Sequence, residues 1–305
     1  MKWTKKGLIY GPNGESKYAD NSALTPTPIL INEDTIRVYS SFRDKEGVGR
    51  IFYVDLDSKN PSKIKKVSKK PILNIGKQGA FDDNGVILGD ILSVNEKLYM
   101  YYVGFQKVKG VKFLAYTGLA ISEDNGESFK RYSNAPVLDR SNEELYIRSL
   151  HTVIHMNGKW KAWGGIGNGW EVIDGIPYPQ YDTRYYESDD GVNFSKEGLV
   201  CVECRDKEYR IGRPRVFLEK GKYHMFYTYG TTDRKYLSGY AISDDGLSWN
   251  RKDEEAGFEL SKSGWDSKEF AYPAPIKVGD KIYIFYNGND FGKEGFGYAE
   301  LIDEL

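Results

Sequence analysis

Along this chain apolar and polar residues alternate in short runs that end at acidic or glycine-containing turns, the two-residue period of half-buried β-strands. Residues 275–286 (PIKVGDKIYIFY) show the pattern in its simplest form, two strands joined by Gly279-Asp280, a pair that tolerates the positive φ of a tight hairpin. The same hairpin recurs at 28–42, 91–103, 152–163 and 216–227. After three of these comes a second shared unit, at 119–133, 185–198 and 240–253: a strand, then Ser with acidic residues and Gly, then an aromatic and basic outer strand. Five hairpins at spacings of roughly 60 residues, each able to carry four strands, predict radial repetition. The expected architecture is an all-β, five-bladed β-propeller of four-stranded blades, in a single domain spanning 1–305. The last blade runs out of chain after a third strand at 297–302, and residues 3–9 (WTKKGLI) match the outer strands at 129–133 and 249–253. The amino-terminal strand is therefore expected to complete the last blade and close the ring, which removes two open sheet edges.

Composition adds little that conflicts with this. With 24 Tyr and 14% aromatic residues in 305, the chain can bury a large core. Its 43 basic and 44 acidic residues give a net charge of −1, which argues against global steering toward nucleic acid or an anionic membrane. No run approaches the ~18 apolar residues of a spanning helix, and no signal-like apolar run follows Met1-Lys2, so a soluble, cytoplasmic protein is expected. The basic run at 59–70 reads as a solvated face. Cys201 and Cys204 are spaced Cys-x-x-Cys, but with no second pair and no His cluster they do not make a zinc site. Two reduced thiols near the surface are expected, and no metal or cofactor is predicted, with a divalent ion in the axial channel left open.

Candidate chemistry gathers where chain segments enter the leading strands. Gly79-Ala80-Phe81-Asp82-Asp83 and Gly264-Trp265-Asp266 share Gly, an aromatic and Asp at similar distances before a strand. In a propeller such entries lie at the mouth of the axial pocket, where an aromatic face packs on a sugar ring and a carboxylate serves as acid or base. Asp82 and Asp266 are the expected working pair, with Glu208 assisting; capping of turns is the competing role for each Asp. Arg43, Arg148 and Arg213 need partners, either a protein carboxylate or an anionic group on a ligand. His151 and His224 lie on the same strands, and Asp83, Trp265, Glu269, Tyr272 and Asn287 complete the expected substrate-binding set.

These pieces carry a resemblance over nearly the whole chain. Phe81-Asp82-Asp83-Asn84-Gly85-Val86, the repeated Ser-Asp-Asp-Gly units, Gly212-Arg213-Pro214, 222–227 (KYHMFY), Trp265-Asp266-Ser267 and Tyr286-Asn287-Gly288-Asn289 resemble the five-bladed propellers of the arabinanase, levansucrase and invertase superfamily. Within it the chain is most similar to a branch associated with surface-polysaccharide genes. The resemblance implies a carbohydrate-active, glycoside hydrolase-like protein that acts on a glycosidic or sugar-phosphate bond through axial carboxylates. Its ligand would be a sugar, an oligosaccharide or a nucleotide sugar. The resemblance also implies an acidic residue followed by Pro at the start of inner strands, the places of the usual base, transition-state stabiliser and general acid. Here the equivalents are Thr25-Pro26, Leu88-Gly89, Leu150-His151, Arg213-Pro214 and Tyr272-Pro273, none of them acidic. The alternative reading is a carbohydrate-binding propeller that has lost the catalytic acids.

Overall fold

A computed structural model of the protein describes residues 1–233 and 235–305. Its strands fall into five antiparallel meanders of four. The first comprises Asn21–Asn32, Thr35–Arg43, Gly49–Asp57 and Ile64–Val67, and the second Val86–Val94, Lys97–Gln106, Leu114–Ser122 and Lys130–Arg131. Ile147–Met156, Lys159–Ile173, Ile176–Ser188 and Leu199–Val202 form the third; Glu208–Glu219, Lys222–Thr231, Tyr236–Ser243 and Asn250–Arg251 form the fourth. In the fifth, Ala271–Val278, Lys281–Asn287 and Phe296–Leu301 are joined by the amino-terminal strand Trp3–Tyr10, antiparallel to Phe296–Leu301. The chain's first strand thus covers its last edge, as expected.

Closure of the ring by strand pairing is not seen. Short parallel contacts, Ile147 and Arg148 opposite Ala115 and Tyr116, and Tyr181 opposite Arg210, merge the second to fourth meanders into one twelve-stranded sheet. Among the described residues no ladder joins the first meander to the second or to the fifth. Side chains make that junction instead: Asn287 accepts from the Thr25 amide (2.8 Å) and donates to the carbonyls of Ala23 (2.8 Å) and Gly295 (2.7 Å).

The repeated turns lock successive meanders. In 240–253, Ser243 Oγ accepts from the amides of Asp245 and Gly246, and Asp245 Oδ1 from those of Leu247 and Ser248. Gly246 takes φ +77°, a left-handed position that costs glycine least. Its carbonyl accepts from the Trp163 indole of the preceding meander at 2.9 Å. Tyr101 reaches Gly191 O (2.7 Å) and Tyr39 reaches Gly126 O (3.3 Å) in the same way. A buried aromatic with a polar tip satisfies a turn carbonyl while filling the space between sheets.

Every leading strand also carries a β-bulge at the same place. Register shifts fall at Leu24/Thr27, Leu88/Asp90, Leu150/Thr152, Gly212/Arg215 and Ala271/Ala274. The extra residues are Thr25-Pro26, Gly89, His151, Arg213-Pro214 and Tyr272-Pro273, the positions matched from the sequence. Proline fits there because a bulge needs no ladder donor. Thr25, Arg213 and Tyr272 take φ of 56°, 53° and 55°, strained values for L residues. Gly89 has no alternative, since a Cβ would lie 2.2 Å from Leu150 O.

Candidate functional site

The bulges aim residues from four meanders at one cavity of about 500 Å³. Thr25, His151, Arg213 and Tyr272 line it, together with Arg43, Lys107, Lys112, Arg210 and Tyr236. Its far wall comes from the third meander, whose second and third strands run 15 and 13 residues and carry Tyr178, Pro179 and Tyr181 to the lining. Phe105 and Phe113 join that wall, with ring centroids 5.2 Å apart, and Phe113 meets Trp170 of the long hairpin at 5.8 Å.

The lining is cationic. Arg43, Lys107, Lys112, Arg210 and Arg213 face it, and among the described residues no Asp or Glu does. Arg213 is 3% exposed and donates to Leu88 O (2.7 Å), Thr25 O (3.0 Å) and Thr27 Oγ1 (2.7 Å), all uncharged acceptors. Burial pushes the Arg213 guanidinium down to about 9, and the neighbouring Arg215 cation adds to the effect. Arg215 itself pairs with Asp90 at 2.7 Å, below the floor. His151 is held well below the usual histidine range by burial and then by the Arg213 and Arg215 charges, so its ring is neutral near pH 7. Thr25 Oγ1, His151 Nδ1 and the Nε atoms of Arg43, Arg210 and Arg213 are buried without a hydrogen-bond partner. The Nε atoms of Arg148, Arg215 and Arg251, outside the lining, lack a hydrogen-bond partner as well, so what is particular to the cavity is the gathering of Thr25 Oγ1, His151 Nδ1 and three guanidinium edges in one place.

Of the residues expected from the sequence, Arg43, His151, Arg213 and Tyr272 line the cavity, and the others do not. The expected working pair, Asp82 and Asp266, and the assisting Glu208 do not line this cavity, and each is held by a cation instead. Asp82 Oδ2 accepts from Arg131 Nη2 (2.6 Å), Arg131 Nε (2.8 Å) and the Tyr102 hydroxyl (3.2 Å). Asp266 Oδ2 accepts from Lys5 Nζ (2.7 Å) and the Tyr286 hydroxyl (2.9 Å). Glu208 makes two 2.9 Å bonds to Arg251, which also holds Asp253, the acceptor of the Tyr227 hydroxyl. The motif recurs because it is a strut: a second-strand Tyr, a carboxylate and an outer-strand cation, repeated in the second, fourth and fifth meanders. Burial pushes the Asp266 carboxyl up, but bonds from Lys5, Ser261 and Tyr286 outweigh it and keep the group ionised, which does not suit a general acid.

The remaining expected ligand-binding residues are likewise committed elsewhere. Arg148 Nε lies 2.6 Å from the fully buried Glu144, itself the acceptor of the Tyr186 hydroxyl (2.6 Å). His224 Nδ1 pairs with the Tyr240 hydroxyl at 2.7 Å, and Trp265 stacks on Tyr286 at 4.9 Å. Asp83 Oδ2 accepts from the Gly79 amide (2.8 Å), Glu269 Oε2 from the Phe291 amide (2.8 Å), and Asn287 fastens the junction described above. Sequence reasoning passed over Lys107, Lys112, Arg210, Tyr178, Tyr181, Tyr236 and Phe291. One signal was present: the Gly- and Tyr-rich stretch 164–182 exceeds the length of the other repeats, and it is this excess that builds the wall.

Residues 39–209 match the family described as the glycosyl hydrolases family 32 N-terminal domain. The chain belongs to that family. A relative at 33% identity over 303 residues, covering 99% of each chain, is "Uncharacterized protein Rv1502" of Mycobacterium tuberculosis. Among solved structures, a glycoside hydrolase superposes with a TM-score of 0.73 at 16% identity, covering 98% of this chain and 92% of that one. The GH32 β-fructofuranosidase BmSUC1 of Bombyx mori superposes with a TM-score of 0.65 at 17% identity, covering 97% of this chain and 62% of that one. The shared fold is the β-propeller of these hydrolases. Within this family member, no group of three or more His, Cys, Asp or Glu among the described residues is placed to hold a metal ion. The same residues include no helix long and apolar enough to cross a membrane. Cys201 and Cys204 are free thiols, the first half-buried and the second exposed.

Proposed function

We propose that this family member binds an anionic carbohydrate in the axial cavity, a sugar carrying a phosphate, diphosphate or carboxylate, by means of arginines rather than a pair of carboxyl groups. One observation carries the reading: among the described residues five cations line the cavity and no carboxylate does. Arginine offers a planar fork of donors to such an anion. Glycoside hydrolysis by the usual route needs two carboxyl groups about 5–9.5 Å apart across the scissile bond. The carboxylates expected to fill those places are ion-paired struts.

A sugar as the organic part is supported by the family and by the neighbouring fold, since the Bombyx mori enzyme has also been solved in complex with sucrose. A sugar phosphate or a nucleotide sugar of surface-glycan metabolism meets the requirement. We read the five meanders as the blades of one five-bladed ring formed by residues 1–305, because each contributes a bulge at the same register.

Thermal melting tests the reading, because a ligand that binds only the native state raises the midpoint by mass action. At constant ionic strength, glucose 1-phosphate and galacturonate should stabilise the wild type where glucose does not. Arg43→Ala and Arg210→Ala should lose most of that response. Stabilisation by glucose alone, unchanged in both variants, would overturn the proposal.

A further inference from the structure

We infer that Phe291 is the sugar-stacking residue of this cavity, taking the apolar face of a pyranose or furanose ring whose anionic group sits on the arginines. The inference rests on the anionic-carbohydrate reading and adds to it the side chain that recognises the neutral part of the ligand.

The turn Asn289–Gly292 holds two successive L residues in the left-handed region, Asp290 at φ 53°, ψ 44° and Phe291 at φ 57°, ψ 30°. Single residues of this kind are uncommon, and two in a row survive only when surrounding bonds fix them. Here they do. Asn289 donates its amide to Trp265 O (2.7 Å) and its side-chain amide to Gly264 O (2.9 Å), while its Oδ1 accepts from the amides of Lys268 (2.7 Å) and Glu269 (3.2 Å). Glu269 Oε2 then accepts the Phe291 amide at 2.8 Å.

Burial of Phe291 in the core does not explain the strain. Phe291 lies outside every buried cluster and stays 38% exposed. It lines the cavity and meets the Tyr236 ring edge-on at 4.9 Å. From Tyr236 the wall runs inward, with the Arg210 guanidinium 4.8 Å from that ring and the Tyr236 hydroxyl donating to the Tyr272 hydroxyl at 3.2 Å. One continuous wall therefore carries an exposed aromatic face at the rim, a cation with an unmet donor beside its middle, and a bulge tyrosine at the floor. Those are the requirements of a ligand with an apolar ring face at one end and an anion at the other.

The experiment compares the melting of wild type, Phe291→Ala and Phe291→Trp with inorganic phosphate, glucose 1-phosphate and fructose 6-phosphate at equal ionic strength. Phosphate should raise all three midpoints equally. At least one sugar phosphate should add a further shift in the wild type and in the Trp variant, and no more than phosphate itself in the Ala variant. If the Ala variant keeps the further shift, or the wild type never shows one, the stacking role is wrong and the anion site stands. Loss of the phosphate shift in the Ala variant alone would make Phe291 a structural support of the cavity, which also overturns the inference. Absence of any phosphate or sugar-phosphate shift in the wild type would refute the anionic reading itself and the stacking role with it.

Discussion

Replacing Asp82 by Asn separates a strut from a catalytic acid. The Asp82 carboxylate is 1% exposed and accepts from Nε and Nη2 of Arg131, whose side chain is 21% exposed, and from the Tyr102 hydroxyl. Asn is isosteric and keeps one acceptor, but it leaves the guanidinium charge without its counter-ion and puts an amide N–H₂ where an acceptor stood. Removing one partner of a buried pair costs about 3–5 kcal/mol, and partial exposure of Arg131 puts this pair at the lower end, about 3 kcal/mol. For a chain of this size 1 kcal/mol moves the melting midpoint by roughly 2 °C, so Asp82→Asn should melt about 6 °C lower. Calorimetry measures that shift, and the glucose 1-phosphate response of the folded variant should match wild type once referred to its own midpoint. An Asp82→Asn protein that melts like wild type yet loses its ligand response would refute the argument and return this residue to the binding site.

Two further perturbations test the frame around the site. Burial pushes the Glu127 carboxyl up, but bonds from Lys66, Tyr53 and Arg37 outweigh it and bring it down to about 2. A folded-state value below the ordinary 4.5 means that this stabilisation is complete above 4.5 and is lost as pH falls toward 2, so Glu127→Gln should flatten the pH–melting profile across that window. Deleting residues 1–10 strips Phe296–Leu301 of its partner, removes Lys5 from Asp266 and uncovers Phe258, on which Trp3 stacks at 6.1 Å. Size-exclusion chromatography should then show self-association through the bared edge; a monomeric elution at the wild-type volume would show that the edge is protected by something else.

The repeat was legible because its signals are local. Ser-Asp-Asp-Gly specifies its own turn through bonds between residues two or three apart, and Pro26, Pro214 and Pro273, residues that a ladder cannot use as donors, each sit in the bulge of a leading strand. The carboxylates were misread for the opposite reason. Gly-aromatic-Asp at two strand entries has the form of a functional motif, but its meaning depends on Arg131, 49 residues from Asp82, and on Lys5, 261 residues from Asp266. The same is true of Arg148, which lies among apolar residues in sequence and against Glu144 in space. Arg210 shows the converse. Its sequence neighbour Tyr209 lies 5.0 Å from the guanidinium, but nothing nearby in sequence reveals that Tyr236 comes to 4.8 Å and that no carboxylate pairs with Arg210 among the described residues.

The bulges explain how a hydrolase fold can keep its geometry and reverse the charge at its centre. A bulge re-aims one side chain per leading strand toward the axis; the crowded leading strand of the second meander takes only Gly89 there, but elsewhere the scaffold accommodates Thr25, His151, Arg213 and Tyr272 as it would an acid. Electrostatics does not. With Arg213 buried against uncharged acceptors, the floor holds an uncompensated cation whose desolvation is a standing cost, and burial, aided by that charge, keeps His151 neutral. On the anionic-carbohydrate reading an incoming anion would relieve that cost, and His151 Nδ1 and Thr25 Oγ1, buried without partners, would bond sugar hydroxyls. Stability and ligand binding are therefore linked at Arg213, which is why melting, and not turnover alone, is the informative assay for this cavity.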